Sequence, residues 1–148
     1  MTEIYVDGDA CPVKEEILKV AYRHDLVVHL VSNQWLRLPV GPKVNKVVVS
    51  DGFDAADDWI AERAGSADIV ITSDIPLAER CLKSGAAVVG PTGKRFTADN
   101  IGMAMAMRSL KADLRDMGEI SGHNASFSKA HRSEFLNILE NIVQKSKR

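Results

Sequence analysis

The alternation of short apolar runs with amphipathic stretches constrains the fold of this chain more than any other feature. Most of these runs are continuously apolar rather than apolar at every second residue, which is typical of strands buried on both faces of a parallel sheet. They lie at residues 4–6, 26–31, 44–49, 69–71 and 87–89. Helical patterns separate most of these runs, and this order predicts an α/β fold with a mostly parallel central sheet flanked by helices.

Three helices are predicted between the strands. Pro12 suits the first position of a helix, and apolar residues from Val13 to Ala21 follow it at helical spacing. Residues 54–64 and 76–83 form the next two predicted helices. Residues 33–42 are predicted to form a longer loop.

The last third of the chain is predicted to be helical. Thr97 is a good N-cap, and Gly118 is a suitable end for the helix that follows. This helix carries an apolar stripe at spacings of four and three, which is predicted to pack in the protein core: Met103, Met107, Leu110, Leu114 and Met117. A final helix is predicted to turn these side chains inward: Phe135, Ile138, Leu139 and Ile142.

Composition indicates a globular protein without a membrane segment. The chain has 148 residues, of which 45% are apolar and 26% charged, so it is close to one ordinary domain in size. No apolar run is long enough to span a bilayer, and the start of the chain lacks a signal-peptide pattern. We therefore expect a cytoplasmic protein in which Cys11 and Cys81 are buried, reduced thiols.

Acidic residues follow three of the predicted strands. Asp7 and Asp9 follow the first strand, and Asp74 follows the fourth. The helix after the third strand carries three more on one face, at Asp54, Asp57 and Asp58. Because ligands bind beyond the carboxyl ends of parallel strands, these side chains are expected to converge on one cation site. With no suitable Cys or His beside them, the acids favour Mg²⁺ or Mn²⁺.

Helix capping is the simpler explanation for part of this pattern. Asp54 and Asp74 each fit an N-cap position, and Asp57 and Asp58 would then be favoured by the dipole of their helix. Asp7 and Asp9 follow a strand, where a carboxylate has no role comparable to helix capping. Two adjacent carboxylates repel each other unless a cation lies between them, so the cation site is the main hypothesis.

Four segments carry a resemblance to a known family. The segments "YVDGDACP", "DAADDWIAERA", "ADIVITSDIPLA" and "TADNI" resemble the YaiI/YqxD family of small uncharacterised bacterial proteins over nearly the whole chain. That family resembles the PIN-like nuclease superfamily of metal-dependent ribonucleases and flap-type nucleases, here over about the first ninety residues. The resemblance implies a single three-layer PIN-like domain over residues 1–148.

The resemblance also implies roles for particular residues. "IYVD" is similar to the first PIN motif, which places the leading metal-site carboxylate at Asp7. "AADDWIA" is similar to the Ala-Asp-Asp helix of flap nucleases at Asp57 and Asp58. "IVITSD" is similar to their hydrophobic strand followed by a small residue and an aspartate, which matches Asp74. Flap nucleases usually carry one further aspartate two residues later, where this chain has Pro76. These matches imply hydrolysis of phosphodiester bonds, with RNA favoured over DNA, by carboxylates that hold divalent ions.

The basic residues of the chain lie mainly in its second part. Residues 1–93 have a net charge of −5 and residues 94–148 one of +4, an arrangement that can place an anionic substrate beside a metal site. Three basic residues share one predicted helix face and, with Lys94 and Arg95, are candidates for contacts to nucleic-acid phosphates: Arg108, Lys111 and Arg115. An ordinary solvated helix face is the simpler explanation for the three helix residues.

Two other functions compete with the nuclease hypothesis. The first is a non-catalytic nucleic-acid-binding or adaptor module with a vestigial metal site. The second is a haloacid-dehalogenase-like phosphatase, which Asp-x-Asp after the first strand resembles. That enzyme class needs its acidic pair late in the chain, whereas Asp57 and Asp58 precede Thr72. The sequence leaves the oligomeric state, monomer or homo-oligomer, open.

Overall fold

Strands and helices alternate along most of the chain. The computed structural model describes residues 2–8, 13–32, 43–49, 55–107 and 129–146. The strands are β1 (Glu3–Asp7), β2 (Val27–Ser32), β3 (Val44–Val48), β4 (Ile69–Ile71), β5 (Ala87–Val89) and β6 (Arg95–Phe96). The helices are α1 (Lys14–His24), α2 (Ala55–Arg63), α3 (Ile75–Lys83), α4 (residues 101–107) and α5 (Lys129–Ser146).

The six described strands form one sheet in the order β3-β2-β1-β4-β5-β6. The first five in this order are parallel, and β6 runs antiparallel to β5. In chain order, β2 and β3 add to one side of β1, and β4 and β5 then add to its other side. The strand order therefore reverses between β1 and β4, and in open α/β sheets ligands bind beyond the strand ends at such a point.

Helices cover both faces of this sheet. On one face, Ile4 and Val6 of β1 pack in a cluster with buried residues of α1 and α5. On the other face, Tyr5 packs in a second cluster with buried residues of α2 and α3. Successive strand residues point to opposite faces, so the continuous apolar runs of β1 and β4 are buried from both sides, whereas the edge strand β3 is only partly buried. The predicted α/β class with a mostly parallel sheet between helices is confirmed.

Helices α1 and α5 are joined by charged pairs as well as by apolar packing. His24 Nε2 lies 2.8 Å from Glu140 Oε1, and Arg132 Nη1 lies 2.9 Å from Glu16 Oε1. The hydrogen bond with His24 lowers the pKa of the Glu140 carboxyl below its ordinary value. Phe135 of α5 is fully buried beside these pairs, as the spacing of the final helix predicts.

The turn between β5 and β6 lies directly on α5. Gly93 has a φ of 91°, which favours glycine. A Cβ at this position would approach Glu134 Cγ to 3.0 Å and the backbone nitrogen of Phe135 to 3.2 Å. The two-residue strand β6 was not predicted, because its length gives no periodic pattern to detect.

The described part of the apolar stripe, on α4, is exposed rather than buried. Met103 is 74% exposed and Met107 46% exposed, so the prediction that they pack in the core is wrong. Ala104 and Ile101 face the second cluster instead, because the helix presents a different face to the sheet. Thr97 caps the helix as predicted, its hydroxyl accepting from the backbone nitrogen of Asn100 at 3.2 Å. The remaining stripe positions and Gly118 lie outside the described residues.

Two sequence expectations concern burial and membranes. Cys81 is buried in the second cluster, as predicted, and this burial raises the pKa of its thiol to about 11. Cys11 lies outside the described residues. Within the described ranges, no helix has both the length and the apolar character needed to cross a bilayer.

Candidate functional site

Buried polar side chains mark one edge of the sheet. In the described part of the chain, three polar or charged residues are buried: Asp7, Ser32 and Thr72. They lie at the carboxyl ends of β1, β2 and β4, which are neighbours in the sheet. Burial of polar groups is unfavourable unless they are hydrogen-bonded, so their concentration at the point where the strand order reverses indicates a functional site.

The Thr72 hydroxyl connects the ends of β1 and β4. Its Oγ1 donates to Asp7 Oδ2 at 3.1 Å and accepts from the backbone nitrogen of Asp74 at 3.0 Å. Asp7 is 7% exposed and Thr72 is 1% exposed, so the contact between their side chains is shielded from water. The orientation of the Asp7 carboxylate is therefore coupled to the start of α3.

Asp74 has one of the two roles considered from the sequence, that of an N-cap. Its Oδ1 accepts from the backbone nitrogen of Leu77 at 3.1 Å, so it caps α3. This hydrogen bond fixes the carboxylate at the same sheet edge as Asp7 and uses one of its two oxygens. The geometry brings these two aspartates to neighbouring strand ends through Thr72, as the convergence of parallel strands predicts.

The carboxylates of α2 face α3. Asp58 Oδ1 lies 2.8 Å from Arg80 Nη1, and both side chains are about half exposed. The hydrogen bond with Asp58, and to a smaller extent the charge of Asp57, raises the pKa of the Arg80 guanidinium above its ordinary value. The helix places Ile60 in the core, with Ala56 and Trp59 packed against the same cluster, as predicted. Arg80 thus supplies a cationic partner that the sequence did not indicate.

Several predicted site residues fall outside the described ranges. These are Asp9, Asp54, Arg108, Lys111 and Arg115. Among the residues that are described, no group of three or more His, Cys, Asp or Glu side chains is arranged to hold a metal ion. Lys94 and Arg95 are exposed at the start of β6, and Lys94 Nζ lies 6.0 Å from the ring of Phe96.

Sequence reasoning missed the two residues that organise this site, Thr72 and Arg80. Thr72 had a local signal, because it is a hydroxyl residue two positions before an N-cap aspartate at the end of a buried strand. Arg80 had none, since its pairing with Asp58 depends on how α2 and α3 lie against each other.

An aromatic cluster supports the sheet beneath the site. Tyr5 and His29 are stacked with ring centroids 4.7 Å apart, and Trp59 lies against both. His29 is held at both ring nitrogens, by Glu3 at 2.9 Å and by Asn45 at 3.1 Å. Burial, followed by the charge of Glu3, raises the pKa of Tyr5 above its ordinary value. The cluster fixes the register of β1, β2 and β3, and Tyr5 lies two residues before Asp7 on the same face.

Fold and site together define a parallel α/β protein with an acidic, hydroxyl-linked site at the carboxyl edge of its sheet. The chain belongs to the YaiI/YqxD family, since the model described as "Uncharacterized BCR, YaiI/YqxD family" matches residues 5–145. The family predicted from the four sequence segments is confirmed.

Similar proteins occur in several bacteria. A UPF0178 protein of Parvibaculum lavamentivorans is 59% identical over 148 residues, covering 100% of this chain and 97% of the relative. A UPF0178 protein of Agrobacterium fabrum is 59% identical over 146 residues, covering 99% and 95%. One of Rhizobium etli is 57% identical over 144 residues, covering 97% and 93%. No solved structure matches the chain significantly.

Proposed function

We propose that this protein is a metal-dependent nuclease that hydrolyses phosphodiester bonds, with RNA favoured over DNA. The observation that carries the proposal is the hydroxyl bridge from Asp7 through Thr72 to the start of α3, at the point where the strand order reverses. The resemblance of "IYVD" and "IVITSD" to PIN-like motifs supports the same two carboxylates, Asp7 and Asp74.

The donor chemistry of the site fits a hard divalent cation. Asp7 and Asp74 offer carboxylate oxygens, which Mg²⁺ and Mn²⁺ prefer as ligands. Capping engages Oδ1 of Asp74, and Oδ2 stays outside that hydrogen bond. Asp9 is proposed as a further ligand because it follows Asp7 by two residues.

The acids of α2 are secondary candidates in this proposal. Asp57 lies on α2, and Asp54, which is outside the described residues, precedes it by three positions in the sequence; both are proposed as ligands. Asp58 can act as a metal ligand only if its ion pair with Arg80 breaks. The two side chains are 2.8 Å apart in the structure. Arg80 would then be released towards the bound substrate, whose phosphates it can contact.

Each residue has a defined task in the proposed reaction. Asp7 and Asp74 would hold the divalent ions, which when bound would supply an activated water and stabilise the leaving oxygen of the phosphodiester. Thr72 holds the Asp7 carboxylate in one orientation, so that it needs no reorganisation when a cation binds. Lys94 and the basic residues beyond α4 (Arg108, Lys111 and Arg115) contact substrate phosphates and contribute affinity that falls with salt.

A cleavage assay with matched variants tests this proposal. Purified protein is incubated with end-labelled single-stranded RNA and DNA in Mn²⁺ or Mg²⁺, and we expect cleavage that a chelator stops. Asp7→Asn and Asp74→Asn should abolish it while substrate binding survives. Asp25→Asn is the control, because Asp25 ends α1 at the opposite edge of the sheet and pairs with Lys43.

Two results would separate the proposal from its rivals. Equal cleavage by the wild type and Asp7→Asn would identify a contaminating activity and refute the nuclease function. RNA binding without cleavage, with a salt dependence that falls when Arg108, Lys111 and Arg115 are replaced together, would favour the non-catalytic binding module. A melting temperature that Mn²⁺ raises in the wild type but not in Asp7→Asn supports cation binding independently of activity.

A further inference from the structure

A cleft of about 420 Å³ lies at the amino edge of the sheet, opposite the candidate site. Its walls come from the loops before β4 and β5, from β6 and from the end of α5, at Ser66, Gly85, Arg95 and Lys145. Small-molecule sites in proteins typically have volumes of about 300–1,000 Å³, and this cleft is within that range.

Arg95 is the unusual residue in this cleft. In the described part of the chain, the other four arginines each pair with a carboxylate: Arg23, Arg63, Arg80 and Arg132. Arg95 has no such ion pair among the described residues, although its side chain lines a cleft that also contains Asp68. An arginine held at a cleft without an internal counter-ion is suited to an anionic ligand, because its planar fork donates two parallel hydrogen bonds.

Lys145 provides a second cation on the same cleft. It lies in the last turn of α5, where the helix dipole already favours a positive charge. The helix dipole therefore explains a positive charge at Lys145, whereas no such explanation applies to Arg95. Together the two side chains provide two positive charges, which match a phosphate dianion better than a carboxylate.

Asp68 has a defined role at the floor of the cleft. Its Oδ1 accepts from the backbone nitrogen of Glu3 at 3.1 Å, and its Oδ2 accepts from that of Gly65 at 2.9 Å. These hydrogen bonds fix the carboxylate and offset part of its charge. Each carboxylate oxygen still has a further lone pair, so Asp68 can also accept from a ligand hydroxyl.

The cleft is shaped by a close approach of two loops. Gly85 has a φ of 87°, and a Cβ there would lie 3.2 Å from the Cβ of Ser66. Its inner wall is closed by Ile69 and Ile142, which are both buried. The walls therefore belong to packed parts of the fold, and the cleft exists before any ligand enters it.

We propose that this cleft binds a small phosphate monoester of a hydroxylated ring, such as a sugar phosphate or a nucleoside monophosphate. Arg95 and Lys145 bind the phosphate, and Asp68 accepts a hydrogen bond from a ring hydroxyl. The site lies at the opposite sheet edge from Asp7 and Asp74, so it is a second site that needs neither their cation nor a nucleic-acid substrate.

Calorimetric titration in the presence of a chelator tests the site without the proposed nuclease chemistry. The probes are ribose 5-phosphate, adenosine monophosphate, inorganic phosphate and ribose. We expect the two monoesters to bind more tightly than inorganic phosphate, and ribose to give no measurable binding. A preference for adenosine monophosphate over ribose 5-phosphate would assign the ligand to nucleotides, and the reverse would assign it to sugar phosphates.

Three variants and a control locate the binding. Arg95→Gln should weaken monoester binding about tenfold or more, since it removes charge-assisted hydrogen bonds. Lys145→Gln should weaken it less, and Ser66→Glu should abolish it by placing a negative charge at the exposed mouth. Lys129→Gln is the control, because Lys129 is exposed at the other end of α5.

Three results would overturn the proposal. They are the absence of saturable binding of either monoester to the wild type, unchanged affinity in Arg95→Gln, and equal affinity for inorganic phosphate and the monoesters. Because no divalent ion or nucleic acid is present, each of these results leaves the nuclease proposal standing. Loss of cleavage in Asp7→Asn likewise leaves this site unaffected.

Discussion

Replacing Thr72 with Val tests whether hydrogen bonding, rather than packing, determines the structure of the carboxyl edge. Val keeps the branched shape and volume of Thr, so the strand end and the core should pack as before. The change removes only the hydroxyl, which donates to Asp7 and accepts from the backbone nitrogen of Asp74.

The expected loss follows from these two contacts. A hydrogen bond to a charged group contributes about 1.5–3 kcal/mol, and a neutral one about 0.5–1.5 kcal/mol. Thr72 is 1% exposed, so water cannot replace its hydroxyl at this position. We expect Thr72→Val to lower the free energy of unfolding by about 2–4 kcal/mol. Thr72→Ser keeps the hydroxyl and removes one buried methyl group, which should cost about 1 kcal/mol.

Urea unfolding followed by circular dichroism measures both variants against the wild type, with the same dependence on denaturant required for all three. The order of stability distinguishes the two explanations, because packing alone makes Val the milder substitution and hydrogen bonding makes Ser the milder one. A Thr72→Val protein at least as stable as Thr72→Ser would refute our account of how the site is held.

Two further predictions concern the packing of α5 and its charged contact with α1. Gly93→Ala should lower the free energy of unfolding by about 1–3 kcal/mol, from its φ of 91° and the 3.2 Å contact with the backbone of α5. The control is Gly102→Ala, where no atom lies within 4 Å of the added Cβ; it should be neutral or stabilising by up to about 1 kcal/mol in the same urea assay. Equal changes in the free energy of unfolding for the two variants would contradict the packing argument. The hydrogen bond with His24 lowers the pKa of Glu140 from an ordinary 4.5. The contact therefore stabilises the fold above pH 4.5, and this stabilisation is lost as the pH falls through the lowered pKa. The stability difference between the wild type and Glu140→Gln should therefore be present above pH 4.5 and shrink in urea titrations below it, and a constant difference would exclude this contact as its source.

The sheet could be predicted from the sequence because its signal is local and repeated. Five largely apolar runs each indicate a strand, and parallel pairing follows from the helices that separate most of them. The placement of Asp7 and Asp74 at the same edge of the sheet also follows, since parallel strands bring their carboxyl ends to one edge whatever the details of packing. Strand β6 gave no such signal, because two residues establish no period.

Features that depend on the angle between elements could not be predicted. The stripe of α4 has a helical period, but the period does not say which face meets the sheet, and Met103 proved to be exposed. The Asp58–Arg80 ion pair requires α2 and α3 to be neighbours in a particular orientation. The cleft at Arg95 is built from separate segments, none of which has a motif of its own.

The place of α5 in the chain order has a consequence for biosynthesis. This helix covers the sheet face that contains Ile4, Leu30 and Ile71, yet it is translated after every strand of that sheet. Of the described helices, only α1 packs on this face before α5 is made, so part of an apolar surface stays open to solvent or to a chaperone. The nascent sheet can form its strand pairs early, but it can close its second face only after Phe135 and Leu139 have emerged from the ribosome. Folding of this domain is therefore completed by its last described helix, at a stage when the strands that form the carboxyl-edge site have already been made.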